Sequence, residues 1–136
     1  MMDEKRNQIP VVLVVENNPQ VLEILEEMVS SQGWEPVSAS TLKDALSSFA
    51  ARTIDAIVAD VELDDGNSIP LLVTAHEQGS QPVPAFAISS YASDSLRQDV
   101  KRLGAIDLIA KPFRIDDLAQ RLERELHPSS SPVSVA

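Results

Sequence analysis

Five times along the chain a short, continuously apolar run is followed by a stretch with helical spacing, and this alternation restricts the fold more than any other feature. Unbroken runs of β-branched and apolar residues suit strands buried on both faces of a parallel sheet, and parallel strands need crossover connections, usually helices. The first run, Pro10–Val15, is expected as β1. Behind it Asn18 suits an N-cap and Pro19 the first helical position, while Val21, Leu22, Leu25, Met28 and Val29 form the apolar stripe of α1, ended by Gly33. Glu35–Ala39 is expected as β2, and Thr41 with Asp44 resembles a capping box opening α2, whose Leu42, Ala45, Leu46 and Phe49 share a face. Asp55–Val61 reads as β3; Ser68, Pro70 and Leu71 to Val73 open α3, which Gly79 closes. Pro84–Ser89 supplies β4, Leu96, Val100 and Leu103 mark α4 with Gly104 as its left-handed cap, Leu108–Ala110 is β5, and Ile115, Leu118, Ala119, Leu122 and Leu126 stripe α5. Trp34 is expected to plug the turn from α1 into β2.

This pattern implies an α/β domain with a doubly wound, five-stranded parallel sheet of flavodoxin-like layout. With 136 residues, one core explains most of the chain: an N-terminal arm over 1–8, a domain over 9–127, and a Pro/Ser-rich tail or linker stub over 128–136. A net charge of −10 and an aromatic content of 4% argue against direct binding to nucleic acid. No apolar run approaches the roughly 18 residues of a membrane span, and the charged N-terminus lacks the pattern of an export signal. The absence of cysteine excludes disulfides, thiolate nucleophiles and Cys-based zinc sites, in keeping with a cytoplasmic location.

Doubly wound sheets place their sites at the carboxyl ends of the strands. At those points stand Glu16 and Asn17 after β1, Asp60 at the end of β3, Ser89 at the end of β4, and Lys111-Pro112-Phe113 after β5. Taken together, these residues resemble the response-regulator receiver family of two-component signalling over roughly residues 9–127. The resemblance implies a phosphoacceptor switch rather than a turnover enzyme. Asp60 would take a phosphoryl group from a sensor histidine kinase or phosphotransfer protein. Mg²⁺ would be held by Asp60, the backbone carbonyl of Glu62 and the groups after β1, Glu16 and Asn17, because a hard cation with oxygen ligands offsets the repulsion between an incoming phosphoryl group and carboxylates. Lys111 would pair with a phosphoryl oxygen and the Ser89 hydroxyl would donate to another. The response would pass to a downstream protein through the α4-β5-α5 face, with a homodimer as a further possibility. Lacking an output segment, the chain would act in trans or be a fragment of a larger regulator.

The sequence departs from the family pattern at several places. Asn17 replaces an aspartate that usually binds the metal, which should lower metal affinity; Asp64 or Asp65 offers a compensating carboxylate. Leu108 stands where the family usually carries an aromatic rotamer switch, Asp64 where proline is common, and Ser68 where glycine is usual, so an altered loop is expected there. Asn17 and Leu108 leave an alternative open: a pseudo-receiver that binds partners or dimerises without phosphorylation. A flavin- or nucleotide-binding protein is disfavoured, because Glu16-Asn17-Asn18-Pro19 lacks the small-residue amides that cradle phosphate. Tyr91 falls beside the site, and His76 and His127 have no second ligand at helical spacing.

Overall fold

The computed structural model describes residues 8–77 and 81–127. The arm over 1–8, except for its last residue, the tail over 128–136 and the helix-closing Gly79 lie outside the described residues. The elements alternate as β1 (Val11–Val15), α1 (Pro19–Ser31), β2 (Glu35–Ala39), α2 (Leu42–Ala51), β3 (Ala56–Asp60), α3 (Ile69–His76), β4 (Ala85–Ser89), α4 (Asp94–Arg102), β5 (Asp107–Ala110) and α5 (Ile115–Leu126). The five strands form one parallel sheet in the order β2-β1-β3-β4-β5. Between β3 and α3 the chain also closes a small antiparallel hairpin, Glu62–Leu63 against Gly66–Asn67, where the sequence had suggested only a loop.

Because side chains alternate across a strand, each strand feeds two cores. Leu13, Val15, Ile57, Ala59 and Ala87 pack with Phe49, Leu71, Leu72 and Val100 beneath α2, α3 and α4. Val12, Val14, Val58, Phe86 and Ile88 pack with Leu25, Val29, Leu118 and Leu122 beneath α1 and α5. Trp34 joins this second core at the turn into β2, as expected.

The helix starts follow their sequence signals. Asn18 Oδ1 accepts from the backbone N–H groups of Gln20 and Val21, and Thr41 Oγ1 accepts from that of Asp44. Such caps satisfy donors that the first turn leaves without intrahelical partners. β3 runs one residue shorter at each end than expected; Asp55 just before it is still tied to β1, its backbone N–H donating to the Val11 carbonyl and its side chain accepting from Val11 N–H, each at 2.8 Å. Gly104 ends α4 with φ of +112°, and its Cα approaches the His76 ring so closely that a Cβ would fall 2.4 Å from His76 Cγ. His76 is thus a packing partner of that glycine. Among the described residues no helix is long and apolar enough to cross a membrane.

Candidate functional site

Strand register alone gathers the singled-out residues at one end of the sheet. Val15 is level with Ala59, Asp60 with Ile88, and Ser89 with Ala110. Glu16, Asp60, Ser89 and Lys111 therefore emerge together at the carboxyl edge, near β1 and β3, where the strand order reverses.

Lys111 enters this edge directly behind β5 and is joined to the following Pro112 by a cis peptide bond. Its Nζ lies 2.7 Å from Asp60 Oδ2 and 2.9 Å from Glu16 Oε1. Asp60 and Glu16 are both buried, and a buried carboxylate is tolerated only where charge or hydrogen bonds replace water. The replacements are visible: Asp60 Oδ1 accepts from Glu62 N–H, and Glu16 Oε2 accepts from Asn18 N–H, each at 3.0 Å. Burial pushes the Glu16 carboxyl above its ordinary value and the nearby Asp60 charge adds to this, while Lys111 and the Asn18 N–H pull it back. Burial also works against the Lys111 charge, but hydrogen bonds to Asp60 and Glu16 outweigh it and hold the ammonium above its ordinary range.

The residue in the position of the missing acid is not idle. Asn17 Nδ2 donates to Asp64 Oδ1 at 3.0 Å, which brings a carboxylate from the hairpin to the mouth of the site and turns the amide oxygen of Asn17 free of that contact. Asp65 does not share this role. Its two oxygens accept from the backbone N–H groups of Leu42 and Lys43 at the start of α2, and those donors hold its carboxyl below the usual carboxylate range. Of the two compensating carboxylates suggested by the sequence, only Asp64 reaches Asn17.

Among the described residues no three Asp, Glu, His or Cys side chains are grouped as a metal cage of their own. The donors at the edge nonetheless suit Mg²⁺, which takes one or two carboxylates and retains waters. The edge offers the Asp60 and Glu16 carboxylates, the amide oxygen of Asn17 and the main chain of Glu62, which Asp60 holds by its own hydrogen bond.

Ser89 is fully buried, yet its hydroxyl points to neither Asp60 nor Lys111 among its hydrogen bonds. It donates to the Glu62 carboxylate, at 2.8 Å to Oε2 and 3.1 Å to Oε1, and accepts from Tyr91 N–H at 2.9 Å. Sequence reasoning had used only the Glu62 carbonyl. The signal was available: in an extended chain residues i and i+2 point to one side, so the Glu62 side chain follows that of Asp60. Tyr91 itself is largely exposed, with 76% of its surface accessible.

A second feature was missed entirely. Asp107 on β5 binds Arg97 of α4 and, at 2.9 Å, Arg121 of α5, and Arg97 also donates to the Leu108 carbonyl. Burial opposes ionisation of Asp107, but Arg121, the Leu108 N–H and Arg97 together hold its carboxyl below the ordinary range. Arg121 lies over the Phe86 ring, 5.1 Å from its centre. Leu108 is buried in the core beneath α2, α3 and α4.

Comparison with known proteins agrees with this arrangement. The family model for the response regulator receiver domain matches residues 12–123. The transcriptional regulatory protein KdpE of Mycobacterium tuberculosis is 30% identical over 111 residues, covering 82% of this chain and 48% of that protein. The transcriptional regulatory protein PrrA of the same organism is 33% identical over 124 residues, covering 90% and 52%. The chain thus spans about half the length of these relatives. A CheY-like receiver domain protein from Methanospirillum hungatei superposes with a TM-score of 0.82 at 21% identity, covering 89% of this chain and 96% of the other, which shows the shared fold.

Proposed function

The chain belongs to the response regulator receiver domain family, and on that premise we propose that its unit over residues 9–127 accepts a phosphoryl group on Asp60. The donor is the phosphohistidine of a sensor kinase or phosphotransfer protein, and the setting is the cytoplasm. The observation that carries this reading is Asp60 at the buried end of β3 with the Lys111 ammonium 2.7 Å from its carboxylate. A carboxylate oxygen of Asp60 forms the new bond to phosphorus while the bond from phosphorus to the imidazole nitrogen breaks, its electron pair remaining on that nitrogen. The product is an acyl phosphate.

Like charges oppose the approach of a phosphoryl group to Asp60 and Glu16, and Lys111 supplies the cation nearest both. When bound, Mg²⁺ would neutralise the remaining charge, held by Asp60, the Glu62 carbonyl, Glu16 and the Asn17 amide oxygen. The Asn17 amide adds no charge of its own, so the affinity should be weaker than an aspartate would confer. Ser89 hydrogen-bonds a phosphoryl oxygen after transfer. Its movement alters the turn at Tyr91 and then α4, whose Arg97 is tied to β5 and α5 through Asp107. The α4-β5-α5 face is accordingly the surface offered to a downstream protein or to a second copy. Leu108 provides no aromatic lever, which leaves Ser89 as the main route.

Incubation with Mg²⁺ and a small phosphodonor, followed by mass spectrometry, tests the reading. One added phosphoryl group is expected, absent in Asp60→Asn; equal labelling of that variant would remove Asp60 from the role. A second reading, a pseudo-receiver acting without phosphorylation, draws on the bonding of Asn17 to Asp64 and the burial of Leu108. It would be supported if the folded wild-type protein took no label.

A further inference from the structure

From the hydrogen bonding of Ser89 we infer that the Glu62 side chain is a latch on the phosphate-sensing hydroxyl, an internal competitor that a phosphoryl oxygen must displace. This rests on the reading of Asp60 as phosphoacceptor and adds a positioning residue to it.

A serine hydroxyl has one proton to donate. In this protein that proton is directed at Glu62, with both carboxylate oxygens within 3.1 Å of Ser89 Oγ. The hydroxyl is buried without water-exposed surface, so it cannot exchange this partner for solvent and must keep one acceptor or gain another. An ionised acceptor makes the bond stronger than a neutral one would. The base from which Glu62 reaches out is itself anchored, since its N–H donates to Asp60 Oδ1 and it pairs with Asn67 in the hairpin. The latch therefore spans from the main chain beside the acceptor aspartate to the hydroxyl that reads the phosphoryl group. Turning Ser89 toward Asp60 breaks the Glu62 contact and reorients the oxygen that receives Tyr91 N–H, so release of the latch and movement of the turn before α4 are one event.

Two effects of Glu62 must be separated: competition for the proton, and simple repulsion of an incoming anion by a nearby carboxylate. A double-mutant cycle does this. Calorimetry of beryllofluoride binding with Mg²⁺ is compared for the full chain, Glu62→Ala, Ser89→Ala and the double variant. Truncating Glu62 leaves its backbone carbonyl in place. If Glu62 competes for the hydroxyl, Glu62→Ala tightens binding about tenfold, the scale of one hydrogen bond to a charged group, and changes it no more than about twofold when Ser89 is already alanine. Equal tightening in both backgrounds would mean repulsion alone, and no tightening would mean no competition; either overturns the latch. The contact is also read without beryllofluoride: the Tyr91 amide resonance should shift in Glu62→Ala and less in Glu62→Gln, and an unmoved resonance overturns it as well. Failure of every folded variant and of the wild type to bind beryllofluoride would instead count against the phosphoacceptor reading, with the Tyr91 resonance still deciding the latch.

Discussion

Lys111 Nζ lies 2.9 Å from Glu16 Oε1, although the Glu16 side chain has no exposed surface and the Lys111 side chain little. A buried carboxylate with such a partner depends on it, because water cannot take the place of the cation.

Lys111→Met should therefore cost about 3–5 kcal/mol of folding stability at pH 7, the scale for removing one partner of a buried pair. It should also change the pH profile. Burial already raises the Glu16 pKa, and loss of Lys111 removes a group that lowers it. A carboxyl with a folded pKa above its unfolded value binds protons more tightly when folded, so the variant gains stability as pH falls from 7 toward the ordinary carboxylate range. The Lys111 contribution in the wild type is fully present there, since its raised pKa keeps it protonated. Denaturant unfolding at several pH values checks this; parallel profiles for variant and wild type would contradict the role given to Lys111.

Asn17→Asp should tighten Mg²⁺ binding by at least about tenfold, since one added close charge contributes on the order of a few kcal/mol at intermediate dielectric and screening at this partly exposed position removes part of it. The new carboxylate would face Asp64, which now accepts from the Asn17 amide, so without metal the variant should also be less stable than the wild type. Calorimetry and thermal melts with and without Mg²⁺ report both effects. Unchanged affinity would show that the metal does not use this position.

Ser68 is fully buried, and its hydroxyl has no hydrogen-bond partner among the described residues. It sits at the N-cap of α3 without making a cap bond, at φ of −85°, which alanine adopts without strain. An unsatisfied buried hydroxyl costs on the order of 1 kcal/mol. Ser68→Ala should raise the melting temperature by about 3 °C, and a lower value would mean that the hydroxyl has a stabilising partner.

Gly104→Ala should lower stability by about 1–3 kcal/mol, through its positive φ and the collision with His76. Adding His76→Ala relieves the collision and leaves the backbone strain, so the double variant should recover part of the loss in denaturant unfolding. No recovery would assign the whole cost to the backbone.

The alternation of apolar runs with helical stripes was enough to read the sheet, its parallel strands and the helix caps at Asn18 and Thr41, because these depend on neighbours a few residues away. The placement of Glu16, Asp60, Ser89 and Lys111 at one edge was legible for the same reason: strand ends were visible, and a doubly wound sheet collects them. Side-chain partners were a different matter. Ser89 meets Glu62 across 27 positions and Asn17 meets Asp64 across 47, while Asp65, one residue further along, is drawn away to α2. Nothing in the local pattern separates Asp64 from Asp65. The hairpin sends their side chains in different directions, and Asp107 finds its two arginines only when α4 and α5 dock beside β5. Local periodicity determined the scaffold and the inventory of reactive groups; which group holds which was decided by packing, since a hydrogen bond depends on ångström-scale approach that sequence spacing does not specify.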